Sequence, residues 1–245
     1  MKYVGIVFAI SRSAGEYLEQ QIRTALESGS IDCSILTDEQ PSERYQQATN
    51  LKEISNILFE SIKIILKNIP EDEKITIILG ANSVHAAFHN LKKLLKDSTL
   101  DTKINLISMI DATVEKTVLH GYKKVTVLGS TKTINSRLYH LALENSNIDI
   151  INLDSEGQAR INTFITKGIS NLTSDQTQEL VTIVQSHVRT HSIDAIIFGC
   201  AELGEKFSAD NLKCPIVNST DALISTTVDL IIAQTTFSSM GLSHI

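Results

Sequence analysis

Ile75-Thr76-Ile77-Ile78-Leu79-Gly80-Ala81 and Asp194-Ala195-Ile196-Ile197-Phe198-Gly199-Cys200 read as two versions of one segment. Each is an apolar, β-branched run without polar alternation, then a glycine, then a small side chain. Continuous runs of this kind suit parallel strands covered on both faces. The glycine lets the backbone turn sharply at the strand's carboxyl end and frees the next side chain to point into a cleft. The two copies lie about half the chain apart, which points to a duplicated domain with Ala81 and Cys200 on opposite walls. Any βα protein has several strand–glycine turns, so the pair alone leaves a chance recurrence open.

The same reading extends in both directions from these runs. Further strands are predicted over residues 3–7, 31–36, 104–107, 125–128 and 148–151, with the quoted runs giving 75–79 and 195–198. Amphipathic helices fit between them over 14–28, 51–68, 83–96, 111–119, 134–146, 156–168, 175–191 and 219–234, and none of the three prolines falls in a helix interior. Such βα repetition predicts an α/β fold of parallel, helix-flanked sheets with the ligand at the strand carboxyl ends.

Bulk properties narrow the function. A chain of 245 residues with 42% hydrophobic and 20% charged residues is that of a globular protein able to bury a sizeable core. The net charge of −6 argues against nucleic acid as a partner, and no basic stripe offsets it. Lys92, Lys93 and Lys96 sit at helical spacing and read as a solvated face. No stretch approaches the ~20 apolar residues of a membrane span. Residues 3–10 are too short for a signal-peptide core and read as a strand. Cys33, Cys200 and Cys214 form no metal-binding spacing and no even set, which suits a cytoplasmic protein with no bound metal.

Cys200 is the strongest candidate for chemistry. It follows a buried strand at a turn whose backbone N–H groups are expected to favour a thiolate, although a lone cysteine is also a common packing residue. Cys33 and Cys214 read as packing residues. His85 fits a helix face or a site group equally well. Asn82 and Ser83 suit a helix cap or a carboxylate site at a helix amino end, and Leu128-Gly129-Ser130-Thr131-Lys132-Thr133 offers a second hydroxyl-rich turn with the same two readings.

Taken together, these motifs resemble the aspartate/glutamate racemase superfamily, in particular its aspartate racemase branch, over nearly the full chain. Ala81-Asn82-Ser83-Val84-His85 is similar to that branch's Cys-Asn-Thr-x-His, and Met109-Ile110-Asp111-Ala112-Thr113 matches its central motif. Leu128-Gly129-Ser130-Thr131-Lys132-Thr133 resembles Leu-Gly-Thr-x-x-Thr, and Gly199-Cys200-Ala201-Glu202-Leu203 resembles Gly-Cys-Thr-Glu-Leu. Pro215-Ile216-Val217-Asn218-Ser219-Thr220-Asp221 is similar to the family's Pro-x-x-Asp-Ser-Thr-Asp.

The resemblance implies two pseudo-symmetric α/β domains, residues 1–107 plus 217–245 and residues 108–216, with the substrate in a cleft between them. It implies no pyridoxal phosphate or other cofactor and no metal. Two thiols work from opposite faces of the α-carbon, one removing a proton and the other returning one. Asn82, Ser83, Ser130, Thr133 and Ala201 match substrate-binding positions. Arg160 matches a basic residue that receives the substrate's side-chain carboxylate. Glu202 matches an acidic neighbour of the second cysteine. The partner is then a small acidic amino acid or dicarboxylate, and a homodimer is expected.

The departures shape what the resemblance implies. Ala81 stands where the first thiol belongs, Ala201 replaces a hydroxyl, and Asn218 replaces an aspartate. Phe8-Ala9-Ile10 replaces a Gly-Gly-Met turn, with Phe8 expected to narrow the pocket and Arg12 to offer an anion contact. A racemase or isomerase of aspartate, glutamate or a close analogue, with Cys200 as its one thiol and exchange from one face, is the first expectation. Water or His85 then supplies the other proton. Single-thiol decarboxylation or cis–trans isomerisation of a dicarboxylic acid, or non-catalytic binding of an acidic ligand, are the alternatives.

Overall fold

The computed structural model describes residues 1–8, 12–39, 44, 45 and 47–239. The chain divides into two units, Met1–Met109 with Leu223–Ile245, and Ile110–Ala222. In the first, strands β1 (Lys2–Val7), β2 (Cys33–Asp38), β3 (Ile75–Leu79) and β4 (Ile104–Leu106) form a parallel sheet in the order β2-β1-β3-β4. In the second, β5 (Lys124–Leu128), β6 (Asp149–Ile150), β7 (Ala195–Phe198) and β8 (Ile216–Asn218) are also parallel, in the order β6-β5-β7-β8. The two orders are the same permutation, so the duplicated reading of the quoted runs is realised in topology. Equivalent bonds close each pair: Gly80 N–H donates to Val7 C=O at 3.0 Å, and Gly199 N–H to Leu128 C=O at 2.8 Å.

The absence of polar alternation has a direct cause. In β1 and the residue after it, Tyr3 and Val7 join an apolar cluster with Leu58, Ile62 and Leu91, while Val4, Ile6 and Phe8 join another with Leu18, Ile22 and Ile231. Both faces are thus covered by helices, Leu51–Leu66 and Phe88–Asp97 on one side and Arg12–Ser28 and Ser219–Ser239 on the other. The second sheet repeats this, with Leu128, Ile196 and Phe198 in one cluster and Val125, Val127, Ala195 and Ile197 in another. Each such side chain contributes about 1.5–3 kcal/mol on burial.

Four local expectations are corrected. Strand β8 lies outside the seven predicted runs, since three residues after Pro215 are too few to show a pattern; its pairing with β7 makes it a strand. Because β8 completes the second sheet, residues 217–222 go with the second unit, while Ser108 and Met109 go with the first. The helix expected over 83–96 begins as a 3-10 turn, Ser83–Ala87, and the one over 134–146 is broken at Arg137, whose φ is 55°. Both crossings between the units lie within helices, at the first residue of Met109–Leu119 and inside Ser219–Ser239. Among the described residues no helix is long and apolar enough to cross a membrane.

Candidate functional site

In the second unit the carboxyl ends of β5 and β7 meet through glycine. A Cβ on Gly129 would stand 3.2 Å from the Gly199 carbonyl oxygen, and one on Gly199 would stand 3.3 Å from Val127 Cγ1. Thr133 packs its methyl 3.4 Å from both of those points and is buried. Ser130 therefore sits beside the Cys200 turn. Its Oγ accepts the Thr133 N–H at 3.3 Å and lies 3.1 Å from Thr133 Oγ1. Of the two readings of this turn, the cap is formed, and its hydroxyls stand together at the strand ends.

Cys200 is half-buried and opens the 3-10 turn Ala201–Glu205. The expected bias toward thiolate does not prevail. Burial pushes the thiol up to about 11, and the Glu202 and Glu205 carboxylates add to the rise. The N–H groups of Glu202 and Leu203 pull the other way, but neither closes a capping hydrogen bond to the sulfur. The resting group is a neutral thiol. Its alkylation by iodoacetamide is expected to be slow near neutral pH and to climb about tenfold per pH unit toward about 11. A rate that levels off near pH 7 would show that the N–H groups win.

Glu202 is half-buried, and burial, then Glu205, raises its carboxyl above the usual range, while the Ile169 N–H opposes this. Ala201 is half-buried beside it. Asn218 accepts the Thr220 N–H at 2.9 Å and its amide nitrogen lies 3.1 Å from where a Cβ of Gly204 would stand. It serves as the cap of the helix that follows.

Arg160 is not part of this cluster. On the helix Ser155–Lys167, Gln158 and Asn162 face the β5 turn, donating to Gly129 C=O at 3.0 Å and accepting from Thr131 N–H at 2.8 Å. Arg160, two residues from each, projects from the other side and pairs with Glu179. It lines a groove of about 740 Å³ between that helix and Ser174–His191, with Asp154, His187 and His191, and neither Cys200 nor Ser130 borders it. Gln158 and Asn162 are the residues that sequence reading missed, although their i,i+4 spacing was a usable signal.

The first unit holds the other half of the motif set. Ala81 is half-buried against the core cluster below it, and Ser83 is half-buried at the start of the 3-10 turn. Asn82 is buried, helical in backbone and makes no side-chain cap, so the cap reading fails there. His85 is 2% exposed and stacks on Phe88 at 5.3 Å. Its Nε2 accepts the Met109 N–H at 3.0 Å, which leaves Nδ1 as the donor to Ala81 C=O at 2.9 Å. Both nitrogens are engaged with backbone, so His85 ties the β3 turn to the next helix. His85→Phe keeps the ring stack and orphans two buried backbone groups. The first unit is expected to lose about 2–4 kcal/mol of unfolding free energy, read by urea titration.

Two further expectations change. Phe8 is buried in the core, its ring over Gly15, where a Cβ would collide at 2.3 Å, so it does not narrow a pocket. Arg12 is exposed and paired with Glu16 and Glu39, so its charge is already answered. Ala9, Ile10 and Ser11 lie outside the described residues. Among those described, no group of three or more metal-binding side chains is assembled.

The profile of a family described as Asp/Glu/Hydantoin racemase matches residues 15–227. A broad specificity amino-acid racemase, RacX, of Bacillus subtilis is 26% identical over 157 residues, 64% of this chain; the match spans 65% of that relative's own length. An aspartate racemase homologue from Pyrococcus horikoshii OT3 superposes with a TM-score of 0.77 at 18% identity, covering 94% of this chain and 99% of that one. The aspartate racemase of Picrophilus torridus gives 0.69 at 19%, covering 94% of each chain. A glutamate racemase from Francisella tularensis, in complex with D-glutamate, gives 0.62 at 18%, covering 96% and 82%.

Proposed function

Since the chain belongs to the Asp/Glu/hydantoin racemase family, we propose that it is a cofactor-independent isomerase of aspartate, glutamate or a close acidic analogue, with Cys200 as its one proton-transferring thiol. The observation that supports this reading is the packing of Gly199 against Gly129, which brings the turn that carries Cys200 against the turn that carries the Ser130 and Thr133 hydroxyls. An amino acid's α-proton is a very weak acid. Its removal demands that negative charge building on the carboxylate be met by donors already in place. Ser130 and Thr133 are the donors in the second unit, and Asn82 and Ser83 match the family's donors in the first.

The neutral resting thiol adds a requirement. A thiolate must form before it can act as base, and the substrate's ammonium group is a charge that can lower the thiol once bound. Ala81 carries no proton, and His85 has both nitrogens hydrogen-bonded to backbone, so the second proton comes from solvent. Exchange of the α-hydrogen of one enantiomer, the L form, should therefore outrun net conversion. Incubation of each enantiomer of aspartate and glutamate in deuterium oxide tests this by mass spectrometry. Deuterium in neither enantiomer of either acid would falsify the reading for those substrates.

The methyl group at position 81 also favours a second reading, in which one thiol suffices. Decarboxylation or cis–trans isomerisation of a dicarboxylic acid needs no opposing thiol. A screen of such acids for carbon dioxide release or alkene isomerisation separates it from proton exchange.

A further inference from the structure

Both turns of the second unit's half-site are weak structures taken alone. The hydroxyl turn opens a helix of five residues, Thr131–Asn135, far shorter than an isolated helix needs to be stable. The thiol turn is a short 3-10 run, Ala201–Glu205, whose hydrogen bonds are intrinsically poorer than those of an α-helix. Proton transfer nevertheless demands that thiol and carboxylate be held to within a fraction of an ångström. Something outside the two turns has to fix them.

One continuous stretch touches both. Gln158 Nε2 donates to Gly129 C=O and Asn162 Oδ1 accepts from Thr131 N–H, so two amides one helical turn apart hold both flanks of Ser130. The helix then ends at Gly168, whose φ of 84° makes the bend, and where a Cβ would stand 2.9 Å from the Asn171 amide. The 3-10 turn that follows, Ile169–Asn171, packs against Ala201–Glu205. Lys206, at the end of the thiol turn, donates its ammonium to Leu172 C=O at 2.7 Å.

We propose that residues 155–172 act as a brace across the half-site, with Gln158, Asn162 and Lys206 as positioning residues. The two amides fix the hydroxyl turn that receives the substrate carboxylate, and Lys206 fixes the turn that carries Cys200. The first role rests on the functional reading above; the second does not.

The full chain carrying Asn162→Leu, Lys206→Met or Lys206→Arg provides the test. L-aspartate affinity is measured by calorimetry, and Cys200 alkylation by iodoacetamide is followed across pH by peptide mass spectrometry. Asn162→Leu should weaken L-aspartate about fivefold or more, the scale of one lost hydrogen bond, with the alkylation profile of the parent. Gln158→Met disrupts the same turn and serves if Asn162→Leu does not fold. Lys206→Met, which frees the thiol turn, should speed Cys200 alkylation about threefold or more at each pH, and Lys206→Arg, which can still donate to Leu172 C=O, should return it to the parental rate. Parental affinity and parental profiles in all variants, with only a lower melting temperature, overturn the brace. A parent that binds no L-aspartate defeats the functional reading, and the Lys206 arm still decides the brace.

Discussion

Ala81→Cys is expected to raise net interconversion of L- and D-aspartate or glutamate by about 10²–10⁴-fold, the usual contribution of a positioned acid–base group. The backbone needs no adjustment to receive it. The Ala81 carbonyl is already tied to His85, and the turn is fixed by Gly80 N–H to Val7 C=O. The change adds one sulfur at a half-buried position. Optical rotation or chiral chromatography gives the readout, with α-deuterium exchange followed in parallel. If exchange is present in the parent and net conversion stays flat in the variant, position 81 is not where the second proton is handled. Silence in both assays points instead to the single-thiol alternatives.

Cys200→Ser is expected to cut α-proton exchange by about 10³-fold or more, since a hydroxyl ionises far less readily than even this raised thiol. Ligand binding should survive, because Ser130 and Thr133 are untouched. The fall then belongs to kcat rather than to KM. Cys33→Ser is the control: that thiol lies in β2 of the first unit, away from the β5 and β7 turns in the chain, and is likewise pushed up to about 11 by burial. The exchange rate of that variant should stay within about twofold of the parent, as for a near-isosteric change at a half-buried position in β2. Equal loss in both variants would mean that a stability effect is being read.

The fold was legible because its signal is redundant. Residues buried on both faces leave long apolar runs, and the matched glycines at 80 and 199 mark the same bond in both halves. The position of the thiol at a strand end was legible for the same reason. Its ionisation was not, since the balance between two N–H groups, two carboxylates and burial depends on packing that no local motif encodes. Arg160 illustrates a second limit. Its place in the sequence suits a ligand contact, yet helical phase turns it toward Glu179 while Gln158 and Asn162 take the inward face. His85 shows a third: either ring nitrogen is a plausible proton carrier until Ala81 C=O and Met109 N–H are seen to occupy both.

Because the chain crosses twice between its units, the order in which they can fold differs from the order in which they are made. The second unit, Ile110–Ala222, is one uninterrupted stretch and holds its own complete sheet. The first is made earlier yet remains unfinished, because Leu223 and Ile231 close the apolar cluster over β1 from the far end of the chain. On the ribosome the usual order is therefore inverted: the later unit is the first that can reach its native core. Until residue 231 has emerged, Val4, Ile6 and Phe8 lack part of their cover, and that apolar face stays open to water.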